Sequence, residues 1–358
     1  MKKKYYNKTV CPVKHMKNKD KHLIYVPHSC KKTKPIIKKN KKETEMSIAI
    51  IGAGATGSLF GSYLSYAGYN VIITDSDEAK INTIANKGTK VLSPAREEIL
   101  HTFFDEALLS ANIRASEKFR KCQYYIFCVK SFSTKKAAES VHKFTNPDSI
   151  IVTLQNGAGN IENLSLFFNL ENIAAGTTTE GATLLEPGIV VHGGKGKTAI
   201  GMAGKNLKER ELLVPLITAF GKAGFKTFYT DDPKKMIWEK LAINTSINSI
   251  TSILKTNNGV IAESSYLKDL VKIITDEVCL ASEIENIKLN PDETYNAIIE
   301  VAKNTKLNKS SMLQDILAGK KTEIENISGF IYKIAKDNGI SAKGNLALLL
   351  LVKALENK

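Results

Sequence analysis

The segment Ser47-Ile48-Ala49-Ile50-Ile51-Gly52-Ala53-Gly54-Ala55-Thr56-Gly57 decides the fold. Ser47 to Ile51 reads as a short buried strand, Gly52 to Gly57 as a tight turn, and Ser58 to Ala67 as a helix that Gly68 ends. A G-x-G-x-x-G between strand and helix has a physical rationale at each glycine. The first permits the sharp turn, the second lets backbone approach a pyrophosphate, and the third lets helix pack on strand. The helix N-terminus then faces the phosphates, with Ala53, Ala55 and Thr56 supplying the intervening backbone. This predicts a dinucleotide site formed by Gly52, Ala53, Gly54, Ala55, Thr56 and Gly57.

Working outward, Val71 to Thr74 is a second strand, and it ends at Asp75 about twenty residues after the turn. A carboxylate there accepts hydrogen bonds from the adenosine ribose hydroxyls, which favours NAD and repels a 2′-phosphate. Ser76 and Lys80 stand close enough in sequence to accommodate a phosphate. Tyr124 to Val129 and Ile150 to Leu154 are further apolar strands, each separated from the last by helical or mixed sequence. Strands alternating with helices predict an α/β fold with a Rossmann-type, doubly wound parallel sheet. Between Ile173 and Gly201 the texture becomes Gly- and Thr-rich, with short strands at Thr177 to Thr179, Ile189 to His192 and Thr198 to Ile200, consistent with an antiparallel extension of that sheet.

From Asp232 onward strand signals almost vanish, and long helices are punctuated by Gly259, Pro291, Gly319 and Gly339. The expected organisation is a dinucleotide-binding domain over 46–230 and an all-helical substrate and catalytic domain over 231–358. Thr322-Glu323-Ile324-Glu325 reads as a capping box, with Thr322 as N-cap and Glu325 at the third helical position. That would start a helix with the apolar stripe Ile324, Ile327, Ile331 and Ile334, and place Glu323 in its first turn.

Composition narrows the class. At 358 residues and 43% hydrophobic, the chain can bury the cores of about two domains. Its net charge of +15 would suggest nucleic acid or membrane as partner, but fifteen lysines against three acids crowd into residues 1–45. That tail has no hydrophobic period and is expected to be disordered. Met46 directly precedes the first strand, so the tail is either a misplaced start or a genuine basic arm. Leu23 to Pro27 is too short for a signal peptide, and no stretch approaches the roughly 20 apolar residues of a membrane span, so a cytoplasmic location is expected. Five cysteines without a Cys-x-x-Cys pair fit reduced thiols and argue against zinc. The body histidines 101, 142 and 192 lie in separate segments, which leaves no visible metal site or Ser/His/Asp triad.

Lys240, Asn244 and Asn248 are spaced i, i+4, i+8, which on a regular helix places them along one face. One cation and two amides suit an anionic, carbonyl-bearing ligand. Hydride addition to a ketone builds negative charge on oxygen, and a protonated lysine can both stabilise that charge and supply the proton. Two further segments accompany the row: Leu154-Gln155-Asn156-Gly157-Ala158-Gly159 at a strand end, and Ser310-Ser311-Met312-Leu313-Gln314-Asp315 followed by Thr322-Glu323.

With these residues together the chain resembles the ketopantoate reductases (2-dehydropantoate 2-reductases), of the wider 6-phosphogluconate-dehydrogenase-like superfamily, over about residues 47–355. The resemblance implies reduction of 2-dehydropantoate to (R)-pantoate by NAD(P)H, for pantothenate and coenzyme A synthesis. By that likeness Lys240 is the general acid, and Glu323 holds this lysine and the hydroxyls of cofactor or substrate. Asn244, Asn248, Asn258 and Ser311 match substrate-binding residues, with Asn308 a further candidate. Asn156 and Lys130 match contacts to the cofactor near the cleft, Asn156 also reaching substrate, and Ala182 matches a backbone contact to the cofactor. A carboxylate in a first helical turn, as expected for Glu323, would be held ionised by the helix N-terminus and would suit a partner for Lys240 better than a proton donor.

Three positions depart from the family pattern: Ser76 replaces an arginine frequent in NADPH-using members, Glu180 replaces a histidine after the Thr-Thr-Thr run, and Lys343 replaces a proline. The family default is NADPH. Asp75 and the missing arginine admit NADH, and Glu180 alters the charge near the cofactor. Other readings are a related 2-keto acid reductase with a different substrate, or a non-catalytic nucleotide- or nucleic-acid-binding protein that uses the lysine tail as its arm. The joint presence of Lys240, Asn244, Asn248, Ser311 and Glu323 argues against the latter. The expected partners are the small-molecule substrate and the dinucleotide, with neither membrane nor nucleic acid, and a homodimer is left open.

Overall fold

The computed structural model describes residues 46–204 and 209–357, so the basic segment 1–45 lies outside the described residues. The strands are β1 Ser47–Ile51, β2 Asn70–Asp75, β3 Thr89–Leu92, β4 Glu98–Thr102, β5 Glu106–Leu109, β6 Tyr124–Phe127, β7 Ile150–Thr153, β8 Ile173–Thr178, β9 Gly181–Glu186, β10 Ile189–Gly194, β11 Thr198–Met202 and β12 Thr227–Tyr229. With them in the first part of the chain stand helices α1 Ala55–Tyr66, α2 Glu78–Lys87, α3 Glu117–Arg120, α4 Thr134–Val141, α5 Asn160–Ser165 and α6 Glu209–Lys222.

Eight strands form one sheet in the order β12-β11-β8-β7-β6-β1-β2-β5. All its pairs are parallel except β8 with β11. The central strands are apolar on both faces because helices cover both, so β6 and β7 are buried at every position. From β1 the chain winds outward to β2, whereas β6 and β7 lie on the other side. The order therefore reverses between β1 and β6, and the crevice at such a reversal, at the carboxyl ends of the strands, is where open α/β sheets bind ligands. The loops after β1, β6 and β7 all open there.

The antiparallel extension expected for 173–201 is correct only in part. β8 and β11 join the large sheet, but β9 and β10 pair with β3 and β4 in a second sheet of order β4-β3-β10-β9. This small sheet packs on α1, which is buried along much of its length. The physical reason is that α1 presents apolar and small side chains on two sides, Leu59, Phe60 and Leu64 among them, and both need cover.

After β12 the chain is helical: α7 Pro233–Ile243, α8 Ser249–Leu254, α9 Val260–Glu263, α10 Ser265–Ile284, α11 Pro291–Asn304, α12 Ser311–Leu317, α13 Ser328–Asp337 and α14 Lys343–Glu356. Asp232 caps α7, its side chain accepting from Lys235 N, and Pro233 occupies the first turn, where a missing N–H costs nothing. A separate core, including Trp238, Leu241, Ile247, Ile274, Val278, Ile298, Ile324 and Ile331, holds these helices together.

Two local expectations are corrected. The row Lys240, Asn244, Asn248 does not lie on one regular helix, because Asn244–Asn248 is a π turn inserted between α7 and α8. The Thr322 capping box does not form either: Ile324–Asn326 is a short 3-10 turn, and the helix starts only at Ser328. Thr322 Oγ1 accepts from Ile324 N and donates to Glu356 Oε1, while Glu325 pairs with Lys321 and Lys353, so neither end of the box is available for the reciprocal bonds.

Candidate functional site

The glycine turn closes against the strand beside it. Gly52 has φ +106°, and a Cβ there would lie 2.7 Å from the Val129 side chain and 2.8 Å from its backbone nitrogen. A Cβ on Gly57 would meet Gly52 O at 1.9 Å. Gly54 differs: its Cβ would have no neighbour nearer than Cys128 O at 4.0 Å. No steric need inside the protein explains that glycine, whereas close approach of a ligand to the backbone does. Gly54 is also the N-cap of α1 and offers no side chain to its first turn, so the N–H groups there remain free to meet an anion. The turn, with Ala55 and Thr56 at the head of α1, thus fits a pyrophosphate, whereas the Ala53 N–H is given to Asp75.

Asp75, at the end of β2, is already engaged. Its Oδ2 accepts from Ala53 N at 2.8 Å and from Lys80 Nζ at 3.0 Å, and its Oδ1 accepts from Asp77 N at 3.0 Å. Lys80 is therefore paired with this carboxylate and does not stand free beside it.

At the opposite side of the crevice Lys240 extends from α7. Its Nζ donates to Asn156 Oδ1 and to Thr178 O, both at 2.8 Å. Although the residue keeps some exposed surface, its ammonium end is enclosed by protein. Burial pushes its pKa down to about 8, and the negative charge of Glu323 opposes part of that shift. An ammonium poised near 8 gives up its proton far more readily than a surface lysine.

Glu323 makes neither hydrogen bond on Lys240. Its Oε1 accepts from Ser131 N at 2.8 Å and from Ser131 Oγ at 3.0 Å, and the side chain is buried. Ser131 opens the 3-10 turn that leads into α4, so the carboxylate lies at a helix start remote in sequence, not at the start of its own. Lys130 Nζ sits 2.6 Å from Asp315 Oδ2 and 3.6 Å from Glu323 Oε2. Burial works against the charge of Lys130, but Glu323 and Asp315 outweigh it and hold its pKa above the usual range. For Asp315 the balance differs: burial raises its pKa and Lys130 only partly offsets this.

The loop after β7 joins these parts. Gln155 Nε2 donates to Val129 O at 2.8 Å and to Thr134 Oγ1 at 2.7 Å, fixing the loops after β6 and β7 relative to each other. Ala158 N donates to Asn326 O at 2.9 Å, which pins the Asn156 loop to the turn following Glu323. Asn156 itself is turned to Lys240.

Among the expected substrate residues, Asn244 is buried in the π turn, and Asn248 Nδ2 reaches Ser311 Oγ at 3.5 Å. Asn258 donates to Thr305 Oγ1 at 2.9 Å, and its backbone N–H to Asn308 O at 3.0 Å. Its Oδ1 is buried without a protein partner, an acceptor to which a ligand hydroxyl could donate. Ala182 lies on β9 opposite His192, and the adjacent Thr183 Oγ1 donates to Gln314 Oε1 at 3.1 Å, which brings β9 against α12.

Glu180 does not leave a free charge near the crevice. Its Oε2 lies 2.7 Å from His192 Nε2, with the two side chains 3% and 5% exposed, and His192 Nδ1 lies 3.1 Å from Tyr63 OH. Burial and the nearby Glu180 push the Tyr63 pKa up to about 12.

Sequence reasoning missed Thr178, Ser131 and the pairing role of Asp315. A backbone carbonyl such as Thr178 O has no sequence signature. Ser131 could have been suspected only as the residue after Lys130, and Asp315 only as the end of the Ser310–Asp315 segment.

Comparison with known proteins identifies the family. Residues 48–205 match the family profile described as Ketopantoate reductase PanE/ApbA, and residues 232–356 match the profile of its C-terminal part. The chain is 31% identical over 316 residues to a 2-dehydropantoate 2-reductase of Pyrococcus abyssi (strain GE5 / Orsay), covering 87% of this chain and 100% of that protein. It is 32% identical over 314 residues to a 2-dehydropantoate 2-reductase of Pyrococcus horikoshii, covering 87% and 98%. Among solved structures, the ternary structure of D-mandelate dehydrogenase with NADH and anilino(oxo)acetate superposes with TM-score 0.80 at 25% identity, covering 87% of this chain and 99% of that one. A PanE/ApbA family ketopantoate reductase from Ralstonia eutropha JMP134 superposes at TM-score 0.76 and 25% identity, with the same coverage. The two profiles fall in order on the sheet-bearing and helical parts, and the relatives align along almost their whole length, so the chain belongs to the ketopantoate reductase family.

Proposed function

We propose that this chain is a 2-dehydropantoate 2-reductase that uses a nicotinamide dinucleotide, with Lys240 as proton donor. The observation that carries the chemistry is the Lys240 ammonium, held by Asn156 Oδ1 and Thr178 O and lowered to a pKa of about 8. The substrate follows the relatives, which are named for it.

When bound, a nicotinamide dinucleotide would supply hydride chemistry at the keto carbon. The glycine turn and the N-terminus of α1 would hold its pyrophosphate. Lys240 faces the keto oxygen, stabilises the negative charge that develops there, and passes its Nζ proton to it, so that an alcohol is formed and the lysine is left neutral. Asn156 Oδ1 and Thr178 O, both acceptors, keep two of the ammonium protons engaged and direct the third. Glu323 favours the charged lysine from a distance and makes its reprotonation after turnover easier. Asn244, Asn248, Ser311 and the orphan Asn258 Oδ1 bind the carboxylate and hydroxyl of the substrate.

The proposed dinucleotide preference includes NADH to an appreciable extent. Asp75 occupies the place of a 2′-phosphate, and Lys80, the nearest cation, is paired with it. A second reading, a reductase of another 2-keto acid, has one observation in its favour: the superposition on D-mandelate dehydrogenase. Steady-state rates of the purified protein across a panel of 2-keto acids decide between the two. The highest kcat/KM is expected for 2-dehydropantoate, and a higher value for an aromatic keto acid would replace the substrate assignment.

A further inference from the structure

A buried row of hydroxyls and amides runs beneath the π turn that carries Asn244 and Asn248. Asn345 Nδ2 donates to Glu277 Oε2 at 2.8 Å, and Thr245 Oγ1 donates to Asn345 Oδ1 at 2.8 Å. Ser328 Oγ lies 2.7 Å from Thr245 Oγ1, and Ser249 Oγ lies 3.3 Å from Ser328 Oγ. Each hydroxyl has one proton to give, so the direction of the row is fixed. Thr245 gives its proton to Asn345, Ser328 to Thr245, and Ser249 to Ser328. The row ends on the Glu277 carboxylate, which also accepts from Gly344 N and Asn345 N at 2.8 Å each and so anchors the first turn of α14.

Thr245, Ser249, Ser328 and Asn345 are wholly buried. Aliphatic side chains would pack this space at least as stably, so the value of such a row lies in the arrangement it enforces. What it enforces is visible at Thr245, the second residue of the π turn, whose side chain is tied to α13 through Ser328 and to α14 through Asn345. A π turn closes its hydrogen bonds at i+5 and is less favourable than the α form, so it persists where surrounding contacts hold it. Asn244 opens this turn and Asn248 closes it. Reversion to α-helix would rotate one amide relative to the other and move Asn248 away from Ser311.

We propose that Thr245, braced by Ser328 and Asn345, is a positioning residue for the 2-keto acid. It holds the π turn so that the Asn244 and Asn248 amides face the crevice in the register the substrate needs. The proposal rests on the reading of Asn244 and Asn248 as substrate-binding residues. No contact between Thr245 and the substrate is required.

The test compares Thr245→Val, which keeps the branched shape and removes the hydroxyl, with Thr245→Ser, which keeps the hydroxyl. KM and kcat for 2-dehydropantoate are measured at saturating cofactor, together with amide hydrogen exchange over 244–252 by mass spectrometry. In Thr245→Val, KM is expected to rise about tenfold, the scale of one or two well-placed hydrogen bonds. Kcat is expected to stay within about threefold, and exchange to quicken in peptides covering 244–252; loss of folded protein alone would lower kcat and leave KM in place. Thr245→Ser should restore both KM and exchange. An unchanged KM or unchanged exchange in Thr245→Val, or equal damage in Thr245→Ser, overturns the proposal. A wild-type protein that reduces no 2-keto acid sinks the functional reading instead, and the exchange comparison then decides for or against the bracing role of Thr245 by itself.

Discussion

Lys240 Nζ donates to Thr178 O across 2.8 Å, and this bond ties the first helix of the helical part to the last residue of β8 in the large sheet. The proposed proton donor is therefore not carried by one part of the chain alone. Its position depends on how the helical part sits against the sheet, and its acidity on how completely the contact shuts out water.

Burial sets the direction of the pH dependence. The proposed mechanism needs the protonated form of Lys240, whose pKa burial pushes down to about 8. Kcat/KM for the keto acid is expected to be flat below that value and to fall about tenfold per pH unit above it. Glu323→Gln removes a charge that supports the ammonium, so the fall should begin at lower pH. A pH–rate profile of both proteins checks this; an unmoved limb, or one moved upward, would contradict the electrostatic role given to Glu323.

The proposed dinucleotide preference rests on Asp75 and Lys80. Two anions brought within reach of each other cost on the order of 1 kcal/mol, about fivefold in preference. Asp75→Ala removes the carboxylate and releases Lys80 from its 3.0 Å pair, and both effects act in the same direction. The ratio of kcat/KM for NADPH over NADH should rise severalfold, and adding Lys80→Ala should cancel part of the gain. A wild-type protein with strong NADPH preference that Asp75→Ala leaves unaltered would show that the 2′ position lies elsewhere.

Glu180 and His192 form a buried pair, and removing one member of such a pair strands the other. Glu180→Ala is expected to destabilise the protein by about 1–2 kcal/mol, the cost of leaving a buried ring nitrogen without its partner, whereas Glu180→Gln, which keeps an acceptor for His192, should lose much less. Denaturant midpoints of the three proteins measure this. Equal midpoints for Ala and Gln would mean that the hydrogen bond to His192 contributes little.

What could be read in the sequence was whatever one short segment determines. Gly52 to Gly57 specifies its turn by local sterics, and the apolar runs of β1, β6 and β7 are long enough to declare a covered parallel sheet. The small sheet escaped because β3 and β4 are short and carry lysine, glutamate and histidine among their apolar residues. The π turn escaped because i, i+4 spacing reads the same whether or not the helix widens; only the cluster Thr245, Ser246, Ser249, Thr251, Ser252 hints that polar side chains compete with the regular ladder. Thr322 to Glu325 misled because Glu356 and Lys353, far along the chain, take the groups that the capping box would have used. Ser131 and Glu323, 192 residues apart, meet only once the helical part has docked on the sheet.

The assignment of Lys240 is tested most directly by Lys240→Ala. Kcat for 2-dehydropantoate is measured at saturating cofactor, with dinucleotide affinity followed separately by fluorescence titration. Kcat should fall by about 10²-fold or more, since the substitution removes both the proton and the charge opposite the developing alkoxide, while dinucleotide affinity stays within about threefold. A turnover within about threefold of wild type would remove Lys240 from the reaction and with it the mechanism proposed for this family member.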